Sequence, residues 1–176
     1  MIWLIIRGKI IKDRILIIGG AGYIGSHVAL EYCDAGYSVS VFDDLSSGQF
    51  NNIDNRCRFI NGSILDKNQL EKAFRLSNPS TVVHLAALKD AGQSMKKLSI
   101  YSEKNISGTI NVLEMMINFK VKNIIFSSSA AVYGLPEYLP IDEKHPLKPI
   151  NYYGFTKLVI EDMLKWYQKL KGINYI

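Results

Sequence analysis

The sequence is poor in cysteine and proline and contains no long hydrophobic run. Its 176 residues include two cysteines and five prolines, which excludes a disulfide-dense secreted scaffold and a collagen-like or low-complexity chain. The apolar stretch at residues 1–7 is far shorter than the roughly 18 residues that cross a bilayer, and it lacks the features of a secretory signal. We therefore predict a cytoplasmic protein that has no membrane partner.

Positive charge is present but is not concentrated in one segment. The 21 Lys and Arg residues against 16 Asp and Glu residues give a net charge of +5, and acids interrupt the basic residues along the chain. This pattern is typical of a solvated surface, so we predict no nucleic-acid partner. Cys33 and Cys57 are interpreted as reduced thiols. The histidines, His27, His84 and His145, lack ligand partners at metal-binding spacing, so we predict no metal site and assign them packing or local hydrogen bonds.

Short apolar runs alternate with segments of helical period. Strands are predicted over 15–18, 38–42, 58–61, 81–85 and 123–126 and from 173 onward, and helices over 23–35, from 66, over 98–119 and over 151–171. Asp66 and Gln69 have the spacing of a capping box at the start of the second helix. The alternation predicts an α/β fold with a doubly wound parallel sheet, Rossmann-like, and helices on both faces.

A glycine-rich segment separates the first predicted strand from the first helix. Gly19, Gly22 and Gly25 are three residues apart, which allows a tight turn, a close approach to a pyrophosphate and contact between helix and sheet. Asp43 follows 18 residues after Gly25, at the end of the second strand, where a carboxylate accepts ribose hydroxyls and repels a 2′-phosphate. The spacing predicts a cofactor site for NAD in preference to NADP. We accordingly expect an N-terminal extension over 1–13 and one NAD-binding domain over 14–176.

A second constellation has the chemistry of a proton-transfer site. Tyr153 and Lys157 are four residues apart at the start of a predicted helix and share one of its faces. An ammonium beside a phenol favours the phenolate, the form that a general base requires. By itself the pair also fits an ordinary amphipathic helix. The serine run at 127–129 follows the fifth strand, at the sheet edge where ligands bind, and favours the catalytic interpretation.

Four segments together carry a resemblance to a known family. These are GGAGYIGSH at 19–27, HLAALK at 84–89, NISGT at 105–109 and SSSAAVYG at 127–134. With Tyr153 and Lys157 they resemble the extended short-chain dehydrogenase/reductases and, within these, the UDP-glucose 4-epimerase family. The related dehydratases carry an acidic pair where this sequence has Ala130 and Ala131, which argues against dehydration.

The resemblance implies the interconversion of UDP-glucose and UDP-galactose. In that family the sugar C4 is oxidised to a 4-keto sugar with NAD and reduced again on the opposite face. Carried over to this sequence, Tyr153 takes the proton of the sugar 4′-hydroxyl. Lys157 stabilises the phenolate and holds the nicotinamide ribose, and Ser129 hydrogen-bonds the 4′-oxygen.

The resemblance also assigns contacts to the two ligands. The implied cofactor-binding residues are Gly19, Gly22, Tyr23, Ile24, Gly25, Asp43, Asp44, Ser63, Ile64, Ala86, Lys89, Asn105, Tyr153 and Lys157. The implied contacts to a UDP-hexose are Lys89, Ser129 and Tyr153. Two of the three departures from the family pattern concern the cofactor, and the third is Ala131, where some members have a threonine that assists the substrate. Ile18 stands where threonine is common, and Ser63 stands where an aspartate often meets the adenine, so each departure removes one hydrogen bond to NAD.

Two alternatives to this reading remain open. The chain is either an NAD-dependent epimerase, a non-catalytic NAD-binding regulatory module, or a sister nucleotide-sugar epimerase or decarboxylase. Members of the resembled family continue into a smaller domain that binds the uridine diphosphate of the substrate. We therefore expect this chain to be a truncated form that is a poor catalyst. The resemblance implies a homodimer through a helix face that includes Trp166, Tyr167 and Leu170, and packing in the core explains the same residues.

Overall fold

The described residues form two β-sheets. The computed structural model describes residues 4–6, 9–11 and 13–176. Strand β1 (Leu4–Ile6) pairs antiparallel with β2 (Lys9–Ile11) in a separate two-stranded sheet. The predicted extension therefore includes a strand at 4–6, while 1–3, 7, 8 and 12 lie outside the described residues. Its division from a domain over 14–176 stays a prediction.

The main sheet has six strands, all parallel. They are β3 (Arg14–Ile18), β4 (Ser38–Asp43), β5 (Arg58–Asn61), β6 (Thr81–His84), β7 (Asn123–Phe126) and β8 (Asn174–Tyr175). Their spatial order is β5-β4-β3-β6-β7-β8. The direction of winding reverses between β3 and β6, which opens a crevice at the carboxyl ends of these two strands. The predicted Rossmann-like fold is confirmed.

The helices connect the strands and cover the sheet. They are α1 (Tyr23–Asp34), α2 (Lys67–Ser77), α3 (Ala91–Ser94), α4 (Leu98–Tyr101), α5 (Gly108–Asn118) and α6 (Tyr152–Lys171), with 3₁₀ turns at Phe50–Asn52 and Ala130–Val132. The single α-helix predicted over 98–119 is wrong in one respect, because residues Ser102–Ser107 form a π-helical segment between α4 and α5. None of the helices in the described part of the chain is long and apolar enough to cross a bilayer.

The core lies on both faces of the sheet, because successive side chains of a strand point in opposite directions. Leu16 and Ile18 of β3 belong to one buried cluster, which includes Phe74, Leu113 and Ile160 from the helices on that side. Ile15 and Ile17 belong to a second cluster on the α1 side. The four consecutive buried apolar residues at 15–18 are what a strand covered on both faces requires.

Candidate functional site

A cavity of about 320 Å³ opens at the carboxyl ends of the central strands. Ten of the predicted cofactor residues contribute to its lining: Gly19, Gly22, Tyr23, Ile24, Gly25, Asp43, Asp44, Ile64, Ala86 and Lys89. The other four, Ser63, Asn105, Tyr153 and Lys157, lie outside this lining. The structure thus brings the glycine loop and Asp43, the last residue of β4, to one place, as their spacing predicts.

The three glycines of the loop have different structural roles. Gly19 has φ of +87°, and a Cβ there would lie 2.6 Å from the backbone nitrogen of Ala86. A Cβ on Gly25 would collide with the carbonyl oxygen of Gly19, so this glycine allows α1 to approach the loop. At Gly22 the nearest atom to an added Cβ is the Gly19 oxygen at 3.5 Å, so Gly22 leaves free space beside the cavity.

The N-terminus of α1 is open to an anion. Gly22 is the N-cap residue and supplies no side-chain hydrogen bond, and the first turn contains no acidic residue. Its N–H groups therefore keep the partial positive charge that binds a phosphate. Together with the free space at Gly22, this end of the cavity fits the pyrophosphate of a dinucleotide.

Asp43 is buried at the end of β4 and organises the loop. One carboxylate oxygen accepts a hydrogen bond from the Ala21 N–H at 2.9 Å, and the other accepts one from the Leu45 N–H at 2.8 Å. A carboxylate oxygen has more than one acceptor direction, so Asp43 retains capacity for the ribose hydroxyls. The residue predicted from the motif is therefore also a structural part of the site.

Asp44 forms an ion pair that the sequence does not reveal. Its Oδ2 atom lies 3.5 Å from Nζ of Lys104, which belongs to the π-helical segment and also lines the cavity. Burial by itself raises the pKa of Asp44, but the hydrogen bonds from Ser46 and the charge of Lys104 outweigh it and lower the pKa. Sequence analysis missed Lys104 because it is 60 residues from Asp44.

The predicted catalytic pair begins α6. Asn151 caps this helix by accepting the Gly154 N–H at 2.8 Å, and the Tyr153 N–H donates to Oγ of Ser94 at 3.0 Å. Nζ of Lys157 lies 5.9 Å from the ring centroid of Tyr153, so the two side chains share a face as predicted.

The Lys157 ammonium is buried beside the end of β7. It donates to the carbonyl oxygen of Ser127 at 2.7 Å, and Ser127 itself lines the cavity. Burial lowers the pKa of Lys157 to about 8, while the nearby Glu161 carboxylate opposes this change. The side chain remains mostly protonated at neutral pH and holds α6 against the ligand edge of the sheet.

Tyr153 is not part of the cavity lining. Tyr101, which lines the cavity, donates its hydroxyl to the Asp90 carbonyl oxygen at 2.6 Å. Burial raises the pKa of Tyr101, and the charges of Asp90 and Tyr153 act in the same direction, while the hydrogen bond to Asp90 opposes them. Ser129 accepts the Ala131 N–H at 3.2 Å and keeps its own hydroxyl proton for a further bond.

Asn105 lies behind the cavity wall and is 1% exposed. Its amide accepts the Leu88 N–H at 2.8 Å and donates to the Leu88 carbonyl and to the Thr156 hydroxyl, both at 3.0 Å. It therefore joins the loop after β6 to α6, and its predicted contact with the cofactor stays a prediction. Ser63 likewise uses its hydroxyl locally, accepting the Leu65 N–H at 3.3 Å.

The histidines have the local roles predicted for them. His84 is buried in β6 and shares a hydrogen bond of 2.9 Å with the Thr109 hydroxyl, and burial followed by the Lys157 charge lowers its pKa to about 3. His27 bonds the Tyr23 carbonyl, and buried His145 bonds the backbone of Glu137 and Pro146.

Comparison with known proteins identifies the family. The model of the NAD dependent epimerase/dehydratase family matches residues 15–176. The chain belongs to this family. The resemblance inferred from the glycine loop, the serine run and the Tyr153/Lys157 pair is confirmed at this level, and NAD is the cofactor of the family, as predicted.

This chain is similar to several UDP-glucose 4-epimerases. It is 42% identical to that enzyme of Lactobacillus helveticus over 92% of this chain and 49% of the relative. The crystal structure of the Brucella ovis enzyme in complex with NAD has a TM-score of 0.90 at 38% identity, covering 93% of this chain and 50% of that one. The crystal structure of the Thermotoga maritima enzyme with UDP-glucose has a TM-score of 0.87 at 37% identity. The match covers 92% of this chain and 53% of that one.

The chain spans about half the length of the relatives it matches. The activity, substrate and assembly of a whole epimerase therefore belong to the proposals below.

Proposed function

We propose that this chain is the cofactor-binding part of an enzyme that interconverts UDP-glucose and UDP-galactose. The observation that carries the proposal is the buried Lys157 ammonium, which donates at 2.7 Å to the carbonyl of Ser127 in the cavity lining and lies 5.9 Å from the Tyr153 ring centroid. The resemblance to enzymes named UDP-glucose 4-epimerase supports it.

The cavity fits a dinucleotide at its adenosine end. The uncapped N-terminus of α1 would bind the pyrophosphate, and Asp43 would accept the ribose hydroxyls. Bound NAD supplies the acceptor and the donor of a hydride for the reaction.

The residues of α6 and the serine segment would handle the proton. Tyr153 takes the proton of the sugar 4′-hydroxyl during oxidation and returns it during reduction. The Lys157 charge, 5.9 Å from the ring centroid, stabilises the phenolate that forms the base. Ser129 donates its hydroxyl proton to the 4′-oxygen, and Lys89, which lines the cavity, contacts the sugar nucleotide.

The experiment is a single-turnover measurement on the purified chain loaded with NAD. UDP-glucose is added at high concentration, and the near-ultraviolet absorbance of reduced nicotinamide is followed. We expect slow reduction in the wild type and at least about a hundredfold slower reduction in Tyr153→Phe, since a lost general base removes a factor of roughly 10²–10⁴. Tyr138→Phe, in an exposed loop, is the matched control and should behave as the wild type.

The alternatives give different results in the same measurement. A non-catalytic NAD-binding module would bind NAD and show no reduction in any variant, which would overturn the catalytic proposal. Faster reduction by UDP-N-acetylglucosamine or a UDP-uronic acid than by UDP-glucose would indicate the sister epimerase or decarboxylase.

We also propose that the chain alone is a slow epimerase. Remote contacts with a substrate supply much of the energy that lowers the barrier, and the chain spans only about half of its relatives. A coupled assay that converts UDP-galactose to UDP-glucose should show a rate far below that of the Lactobacillus helveticus enzyme. Equal rates would contradict this expectation.

A further inference from the structure

Two cysteines that are distant in the sequence contact each other. Sγ of Cys33, in the last turn of α1, lies 3.4 Å from Sγ of Cys57, which directly precedes β5. Both are free thiols with partly exposed side chains. We propose that Cys33 and Cys57 form a reversible oxidation site, which closes to an intramolecular disulfide when a small disulfide oxidant is present.

The segments that carry the thiols are held together by their neighbours. Arg56, next to Cys57, donates to the carboxylate of Asp34, next to Cys33, at 2.8 Å. Arg56 also pairs with Asp54 at 2.8 Å. From 3.4 Å the sulfurs need to approach by roughly 1.4 Å to reach the S–S bond length.

The surroundings of the pair affect how fast it reacts with an oxidant. Burial and the neighbouring Cys33 sulfur raise the pKa of the Cys57 thiol to about 12, and the Asp54 carboxylate contributes in the same direction. Only the thiolate attacks a disulfide, so this raised pKa makes the exchange slow and makes it faster at higher pH. The sequence holds only two cysteines, so no other disulfide can form within one chain.

The reaction balances as two thiol–disulfide exchanges with oxidised glutathione. The Cys33 sulfur attacks one sulfur of the oxidant and releases one reduced glutathione. The Cys57 sulfur then attacks Cys33 in the mixed disulfide and releases the second glutathione. The two cysteine protons end on the two released thiols, and two electrons pass from the cysteines to the oxidant.

The disulfide would close a loop that runs from 33 to 57 and contains β4. Cross-linking this segment restricts the unfolded chain, so the oxidised protein should unfold at a higher temperature. Neither cysteine lines the cavity, so we expect NAD to bind both forms.

The first test uses the wild-type chain and needs no variant. The protein is incubated with oxidised glutathione, and its intact mass is measured under denaturing conditions. We expect the loss of two hydrogen atoms, no retained glutathione, a tryptic peptide pair linked through Cys33 and Cys57, and full reversal by dithiothreitol. Two free thiols after incubation, or glutathione adducts and intermolecular dimers as the main products, would overturn the proposal.

The second test compares thermal unfolding in oxidising and reducing buffers. The midpoint of the wild type should rise on oxidation, whereas C33S/C57S should have one midpoint in both buffers. A rise in the double variant, or none in an oxidised wild type whose disulfide is shown by mass, would contradict the stabilising cross-link.

Discussion

Asp43 and Asp44 are adjacent in the sequence but have different environments. Asp43 is buried and accepts the Ala21 N–H of the glycine loop and the Leu45 N–H of the loop that follows β4. Asp44 is partly exposed at the cavity and faces Lys104. The motif predicts the first carboxylate, because its position follows from the glycine spacing. The ammonium opposite the second follows only from the fold.

We predict that Asp44→Ala raises the affinity for NADP relative to NAD. The change removes a negative charge at the cavity and releases the Lys104 ammonium, which can then attract a 2′-phosphate. Since a partly exposed charge pair is worth roughly 1 kcal/mol, the ratio of the two Kd values should shift by about fivefold. Titration calorimetry measures both constants. The double variant Asp44→Ala/Lys104→Ala should lose most of this gain; a ratio unchanged in the single variant would contradict the role of the pair.

The buried Lys157 predicts a specific pH dependence of stability. Burial lowers its pKa from 10.5 to about 8. Between these values the unfolded chain holds more protons than the folded one, so the free energy of unfolding increases with pH across this window, by up to about 3 kcal/mol. Below pH 8 this contribution is constant. Urea denaturation should show that the wild type gains stability relative to Lys157→Met from pH 8 to 10.5.

Lys165→Met is the control for this pH series. Lys165 lies on the same helix, is exposed and pairs with Asp162, which raises its pKa. Its difference from the wild type should stay nearly flat over the same range. Parallel curves for the wild type and Lys157→Met would show that the buried ammonium does not titrate as the structure indicates.

Among the elements, the glycine loop agrees best with expectation and the helix over 98–119 agrees least. The loop depends on local backbone freedom, which the sequence displays directly. The π-helical segment lies where the Asn105 side chain bonds the backbone of Leu88, a contact across the fold. The predicted capping box at α2 is half right: Asp66 caps the helix, but the Gln69 side chain accepts the Ser63 N–H.

Two alanine variants separate cofactor binding from folding at the loop. Gly22→Ala places a methyl group beside free space at the cavity, so it should leave the free energy of unfolding nearly unchanged and weaken NAD binding by roughly tenfold or more. Gly25→Ala pushes a methyl group into the Gly19 carbonyl and should destabilise the protein by about 1–3 kcal/mol. Denaturation and NAD titration measure both variants. Equal loss of stability in the two would contradict the different roles assigned to these glycines.

At the scale of the whole molecule, α6 presents an apolar face without cover in the described part of the chain. Trp166 and Leu170 are 59% and 65% exposed, so the alternative that they pack in the core is wrong. Tyr167 is partly buried and donates to Glu114 at 3.3 Å. The homodimer through this face stays a prediction, as do the cytoplasmic location and the absence of a nucleic-acid partner.

We predict that Leu170→Glu disrupts a dimer of this chain. A charge at the centre of an apolar interface costs several kcal/mol of association energy, so light scattering should show a dimer for the wild type and a monomer for the variant. Leu76→Glu, which adds the same charge at a 45% exposed leucine of α2, should leave the dimer intact. A wild type that is monomeric at all concentrations would contradict the prediction.

The sequence by itself determined where the six strands of the main sheet fall along the chain, the glycine loop, Asp43 and the spacing of Tyr153 and Lys157. These features depend on periodicity and on residues within a few turns of each other, so they are readable before the chain folds. Only the tertiary structure decided that Lys104 faces Asp44, that Asn105 ties Leu88 to Thr156 and that Cys33 meets Cys57. Each of these contacts joins residues that the register of the parallel sheet and the packing of its helices bring together. Local spacing in the sequence encodes neither the register nor the packing.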